Sequence, residues 1–139
     1  MNITDGLMIN ENQLISWNIS FEAFKRICEK NNISHQQETT DVFAKISLPI
    51  EFANLGRVQA TIYFINDTIK EVYITCINEV AFDIDRYINV DENLIIYFGK
   101  PKLRKKNKTL WKFGDIEIKH FYINKDDMLV DYLVLENIS

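Results

Sequence analysis

Side chains able to do chemistry are few and scattered in this chain of 139 residues. Its two histidines, His35 and His120, have no histidine or cysteine close by in sequence, and its two cysteines, Cys28 and Cys76, are equally isolated. A transition-metal centre needs three or four such ligands, so neither a metal nor another cofactor is expected. His120 falls in the inward register of a strand-like run, between Ile118 and Tyr122, where it suits a packed, hydrogen-bonded role. Cys76 also reads as inward and has no helix N-terminus beside it to lower its pKa, which argues against a nucleophile. Asp83-x-Asp85, with Glu79 upstream and Asp91-Glu92 downstream, is the densest acidic stretch. A calcium loop would need oxygen ligands at several fixed positions and a glycine at its sharp turn, and this segment has neither pattern. The chain also lacks a Gly-x-Ser-x-Gly elbow and a glycine-rich phosphate loop. A non-enzyme is expected. A small enzyme or ligand-binding domain with a pocket near His120 and Cys76 is the first alternative.

Charge is uneven. Residues 1–99 carry a net −7 and residues 100–139 a net +3, giving −4 for the chain. An acidic domain repels nucleic acid at long range and attracts basic proteins. Against that background stand Lys100, Lys102, Arg104, Lys105, Lys106 and Lys108, six cations within nine residues, followed by Trp111 and Phe113. Phosphate neutralisation by the lysines and base stacking on the rings would make a nucleic-acid adaptor, the second alternative. Trp111 and Phe113 lie opposite Lys112, however, as core-facing strand residues do, and an acidic protein or tail suits the loop better.

The elements that must position these residues can be read from periodicity. Ser20 is a good N-cap for a helix carrying Phe21, Phe24, Ile27 and Cys28 on one stripe and ending at Asn31-Asn32. Strand-like runs follow at Val42 to Leu48, closed by Pro49, then at Arg57 to Ile65 and Ile69 to Ile77, the last two joined at Asn66-Asp67. Residues 78–89 read as a connection, and Asp91 as the cap of a short second helix that stops at Gly99 and Pro101. Three more runs come at Thr109 to Phe113, Ile116 to Ile123 and Met128 to Leu135.

Both halves thus follow one order. Asn18-Ile19-Ser20 corresponds to Asn89-Val90-Asp91, and Tyr63-Phe64-Ile65-Asn66 to Phe121-Tyr122-Ile123-Asn124. The expected fold is a single α+β domain over residues 1–139, with residues 1–12 a flexible arm. Two degenerate helix-β-β-β repeats, 14–77 and 85–137, form one antiparallel sheet of about six strands with the helices on one face. The other face is then open. Its register holds Thr61, Tyr63, Tyr73, Lys119 and Phe121, and aromatic residues in a polar surround are the usual anchors of a protein interface. These five are the candidate protein-binding residues. Their partner is expected to be another protein, a basic toxin for instance, or a second copy in a homodimer.

The N-terminal residues lack the basic and apolar regions of a signal peptide, and no run is long enough to span a bilayer. Two cysteines are few for a disulfide-held secreted domain, so buried thiols and a cytoplasmic location are expected.

Tyr97-Phe98-Gly99-Lys100-Pro101, followed by Thr109-Leu110-Trp111-Lys112-Phe113-Gly114-Asp115-Ile116-Glu117-Ile118, resembles a pattern in small uncharacterised bacterial proteins and in some immunity proteins of toxin–antitoxin neighbourhoods. There a short helix ends in Gly-x-Pro and a Trp-x-Phe-Gly strand turns into the next strand. The repeated layout resembles the beta-lactamase-inhibitor-protein type of fold. The motif covers residues 89–139, and the rest is similar by layout only. The resemblance implies a non-enzymatic domain that grips another protein with an open sheet face, and it carries over no functional residue.

Overall fold

The computed structural model describes residues 2–76 and 82–139, with the backbone alone for Cys76; Ile77 and Glu79 lie outside the described residues. Two strands, β1 (Leu7–Asn10) and β2 (Gln13–Ile15), form an antiparallel hairpin at the start. Then come helix α1 (Phe21–Lys30) and strands β3 (Gln36–Thr39), β4 (Ala44–Glu51), β5 (Arg57–Ile65) and β6 (Thr68–Cys76). Helix α2 (Ile84–Phe98) leads into β7 (Leu103–Lys105), β8 (Lys108–Phe113), β9 (Ile116–Lys125) and β10 (Met128–Asn137).

All eight strands after the hairpin join one antiparallel sheet in the order β3-β4-β5-β6-β10-β9-β8-β7. Each half is therefore a helix followed by a four-stranded meander, and the last strands of the two meanders pair at the centre, Leu133 opposite Ile74 and Glu136 opposite Glu71. The sheet is wider than the six strands expected because β3 and β7 supply its two edges. β3 reads Gln-Gln-Glu-Thr and is exposed at every position, so it has no apolar alternation to betray it. β7 is a three-residue strand inside the basic segment.

Helix α1 forms as its caps dictate. The Ser20 hydroxyl accepts from the Ala23 N–H at 3.2 Å, and the Asp67 carboxylate, from the β5–β6 turn, accepts from the Phe21 N–H at 3.0 Å. Two donors left free by the first helical turn are thus satisfied. Asn66 and Asp67 both adopt positive φ, 53° and 60°, the backbone that a two-residue hairpin turn requires. A β-bulge places Lys70 without a partner, since Tyr63 pairs with Glu71 and Phe64 with Ile69. The extra residue lets Ile69 and Val72, three apart, both point into the core.

Helix α2 departs from expectation. Asp83 is its N-cap, accepting from the Asp85 N–H at 2.9 Å, so the helix has 15 residues and the supposed cap Asp91 sits in its middle, buried. Residues 84–90 belong to this helix rather than to a connection, and the proposed match of Asn89-Val90-Asp91 to the first cap does not hold. Pro49 does not end β4 either. β3 pairs with β4 only as far as Ser47, so Pro49 stands where β4 has become an edge and its missing N–H costs no ladder bond to β3.

The core lies on one face of the sheet. Ile46, Leu48, Val58, Ala60, Ile62, Phe64, Val72, Ile118 and Leu135 are almost wholly buried there, with Phe24 of α1 and Leu94 of α2 laid over them. Apart from Ala60, each such side chain stabilises the fold by about 1.5–3 kcal/mol of burial before entropy is counted. The segment expected as a flexible arm over residues 1–12 is, from residue 2 on, not free: Ile3, Leu7 and Ile9 are buried in the same core, and the Trp17 indole Nε1–H donates to the Ile3 carbonyl at 2.7 Å. No helix among the described residues is long and apolar enough to cross a membrane.

Candidate protein-binding face

The outward register of the sheet carries the five residues singled out from the sequence, all half-buried and all on the face away from the helices. Alternation fixes this: every neighbour of Thr61 and Tyr63 along β5 (Ala60, Ile62, Phe64) is buried in the core, so they themselves point the other way. Across the strands the rings touch. Phe43 meets Tyr63 with centroids 5.4 Å apart, and Tyr63 meets Tyr73 at 5.6 Å, both edge to face. On the far side Phe121 stacks on Tyr132 at 5.4 Å. Val134, opposite Tyr73 on β10, joins the two groups into one stripe over β5, β6, β10 and β9.

A row of charge runs beside the stripe. Glu71, Glu136 and Glu117 are register partners on β6, β10 and β9. The Lys119 ammonium bonds Glu136 at 2.8 Å and lies 3.7 Å from Glu117, which raises its pKa. Glu71 pairs with no cation among the described residues. Beside it, burial and the Glu71 carboxylate, which the Tyr73 hydroxyl faces, push that hydroxyl up to about 12, so its proton is in place at neutral pH. A shallow groove of about 360 Å³ runs between Tyr73, Phe121, Tyr132 and this row. Rings flanking a carboxylate that meets no cation among the described residues suit an arginine or lysine, through ring-face attraction and an ion pair.

The basic segment is divided by the strands that hold it. The Lys105 and Lys108 partners lie across β7 and β8, and Lys108 stands opposite Phe121, at the rim of the aromatic stripe. Arg104 turns to the helix side instead, where its Nε is 3.4 Å from the Asp91 carboxylate. Lys100, Lys102 and Lys106 are exposed. Trp111 is buried, its indole N–H donating to the Gly99 carbonyl at 2.9 Å, and Phe113 packs toward Phe98 at 5.9 Å. The Trp111 ring is thus taken up by the core, and Phe113 is half-buried.

His120 belongs to the core side. Its Nδ1 lies 2.8 Å from Asp91 Oδ1, and the Thr109 hydroxyl donates to the other oxygen at 3.1 Å. The Tyr87 ring stacks on the imidazole at 4.1 Å, and the Tyr87 hydroxyl donates to the His120 carbonyl at 3.0 Å. Burial, with the nearby carboxylates, raises the Tyr87 pKa further, so this hydroxyl stays a donor. This cluster was missed from the sequence as a unit because Asp91 was read as a cap. Cys28 is free and buried, and burial pushes its thiol up to about 11. His35 is held locally, Nδ1 against the Ile33 carbonyl at 2.8 Å. Asp83 and Asp85 are exposed, one of them a cap, and no cluster of three or more metal-ligating side chains occurs among the described residues. No family model matches the sequence, and neither a curated protein nor a solved structure matches the chain.

Proposed function

We propose that this chain is a non-enzymatic, cytoplasmic protein-binding domain of the immunity type, an inhibitor that covers the working surface of a basic bacterial toxin or enzyme. It docks through the open sheet face, with Tyr63, Tyr73 and Phe121 as anchors and Thr61 and Lys119 as polar contacts. The two helix-and-meander halves are read as degenerate repeats whose union makes a face wide enough for this. One observation carries the proposal: an aromatic stripe beside Glu71, which meets no cation among the described residues, on a sheet face that no described helix covers. The net charge of −4 speeds encounter with a basic partner, and Glu71 receives its arginine or lysine between the tyrosine rings.

Site-specific photo-crosslinking in the native cell tests this. With p-benzoylphenylalanine in place of Thr61, irradiation yields an adduct with one basic protein, whose activity the purified chain suppresses. The same group in place of Glu92, exposed on α2, yields none. Equal adducts at both positions, or adducts at Thr61 only with a second copy of the chain, reject the proposal.

A further inference from the structure

The carboxyl end of α2 and the edge strand β7 border an open dish of about 590 Å³, lined by Ile95, Gly99, Lys100, Pro101, Lys102 and Arg104. Its size is that of a small-molecule site. The chain between helix and strand is pinned at three points. The Gly99 N–H donates to the Ile95 carbonyl at 2.8 Å, the Trp111 indole to the Gly99 carbonyl at 2.9 Å, and the Lys102 N–H to the Leu110 carbonyl at 2.8 Å. The backbone that carries Lys100 and Lys102 is therefore set by the fold. Arg104 is set by its side chain. Its Nε lies 3.4 Å from the buried Asp91 carboxylate, while the side chain is 53% exposed and its terminal amino groups form no hydrogen bond among the described residues.

Charge decides the kind of ligand. Lys100 and Lys102 meet no carboxylate among the described residues, and Asp91 is the acid beside Arg104. With the His120 ring uncharged, the three cations less this one carboxylate leave two positive charges on the dish. The carbonyl end of α2 takes back about half of one. A doubly negative group is the match, and a phosphomonoester carries that charge above its second pKa of about 6. A guanidinium held by its Nε presents its remaining donors to such a group in a fixed fork. Ile95 and Pro101, both half-buried, give an apolar wall beside it. We propose that this dish binds a small phosphomonoester with an aromatic or aliphatic body. Its phosphoryl oxygens accept from the terminal amino groups of Arg104 and from the ammonium groups of Lys100 and Lys102, and its body lies against Ile95 and Pro101. A nucleic-acid backbone, made of singly charged diesters, answers this charge less well. The dish shares no residue with the docking face and stands or falls apart from it.

Calorimetric titration of the full chain at pH 8 with phenyl phosphate, inorganic phosphate, benzoate and the diester methyl phenyl phosphate tests the inference. Phenyl phosphate binds with one-to-one stoichiometry, about tenfold or more tightly than either singly charged analogue. Inorganic phosphate, which lacks the ring, binds about fivefold or more weakly than phenyl phosphate. Arg104→Met and Lys102→Met, both at exposed side chains and both keeping the wild-type circular-dichroism spectrum, each weaken phenyl phosphate by about tenfold. Lys106→Met, at the β7–β8 turn and outside the dish, changes its affinity by less than about twofold. Several results overturn the inference: benzoate, the diester or inorganic phosphate binding as tightly as phenyl phosphate, wild-type affinity in both dish variants, an equal loss in Lys106→Met, or no saturable heat with phenyl phosphate.

Discussion

Asp91 of α2 accepts a 2.8 Å hydrogen bond from Nδ1 of His120 on β9, and through this pair the second helix is tied to the strands beneath it. The same carboxylate accepts from Thr109 on β8 and faces Arg104 on β7, so one buried side chain answers three consecutive strands. Replacing it leaves His120 and Thr109 buried without their acceptor. Asp91→Ala should lower the unfolding free energy by about 2–4 kcal/mol, read from urea denaturation. Coupling to Thr109→Val in a double-mutant cycle should be at least about 0.5 kcal/mol.

Acid stability follows from the same residue. Burial alone would raise the Asp91 carboxyl, but the hydrogen bonds from His120 and Thr109, with the fields of His120 and Arg104, outweigh it and hold the group below its ordinary 3.8. A depressed carboxylate contributes stability that is present above its unfolded pKa and lost as pH falls through the folded one. Wild-type stability should therefore drop as the pH is taken from about 4 downward, whereas Asp91→Asn, less stable at neutral pH, should show a shallower drop over that window.

Gly6 tests whether the N-terminal hairpin is integral. Its φ is +151°, and a Cβ there would lie 2.1 Å from the Ile15 carbonyl oxygen, backbone that cannot yield without parting β1 from β2. Gly6→Ala should destabilise the protein by about 2 kcal/mol or more, with Trp17 fluorescence moving toward that of an exposed indole. A mobile arm would tolerate the change.

Much of the fold is legible in the residues because local chemistry and tertiary packing agree there. β5 alternates over nine residues, and Ser20 caps α1 with the geometry its type favours. The aromatic face follows from alternation alone, since a two-residue repeat fixes which side Tyr63 and Phe121 take. Their neighbours across strands, Tyr132 and Glu71, depend on register, which hairpin lengths set and the apolar pattern does not. The match of Tyr63-Phe64-Ile65-Asn66 to Phe121-Tyr122-Ile123-Asn124 shows this: the second hairpin turns at Asp126-Asp127, two residues later than the match implies. An offset of two preserves the face. What could not be read was decided by contacts far apart in sequence. Asp91 looks like a cap because aspartate favours caps, and only Thr109 and His120 make a buried mid-helix carboxylate tolerable.

Cys28 reports on core integrity. Burial holds its thiol at about 11, so at pH 8 it is protonated and shielded. In a Cys76→Ser background, reaction with iodoacetamide at pH 8 should be slower than in urea by at least a hundredfold, set by the population of opened molecules. A rate equal to that of the unfolded chain would mean that α1 does not press Cys28 into the core.

The docking face is tested most directly by the affinity of the crosslinked partner for single-alanine variants. Tyr63→Ala and Phe121→Ala should each weaken binding by about 1–3 kcal/mol, roughly tenfold to more than a hundredfold, with unchanged urea midpoints relative to other surface substitutions. Wild-type affinity in both variants would contradict the account.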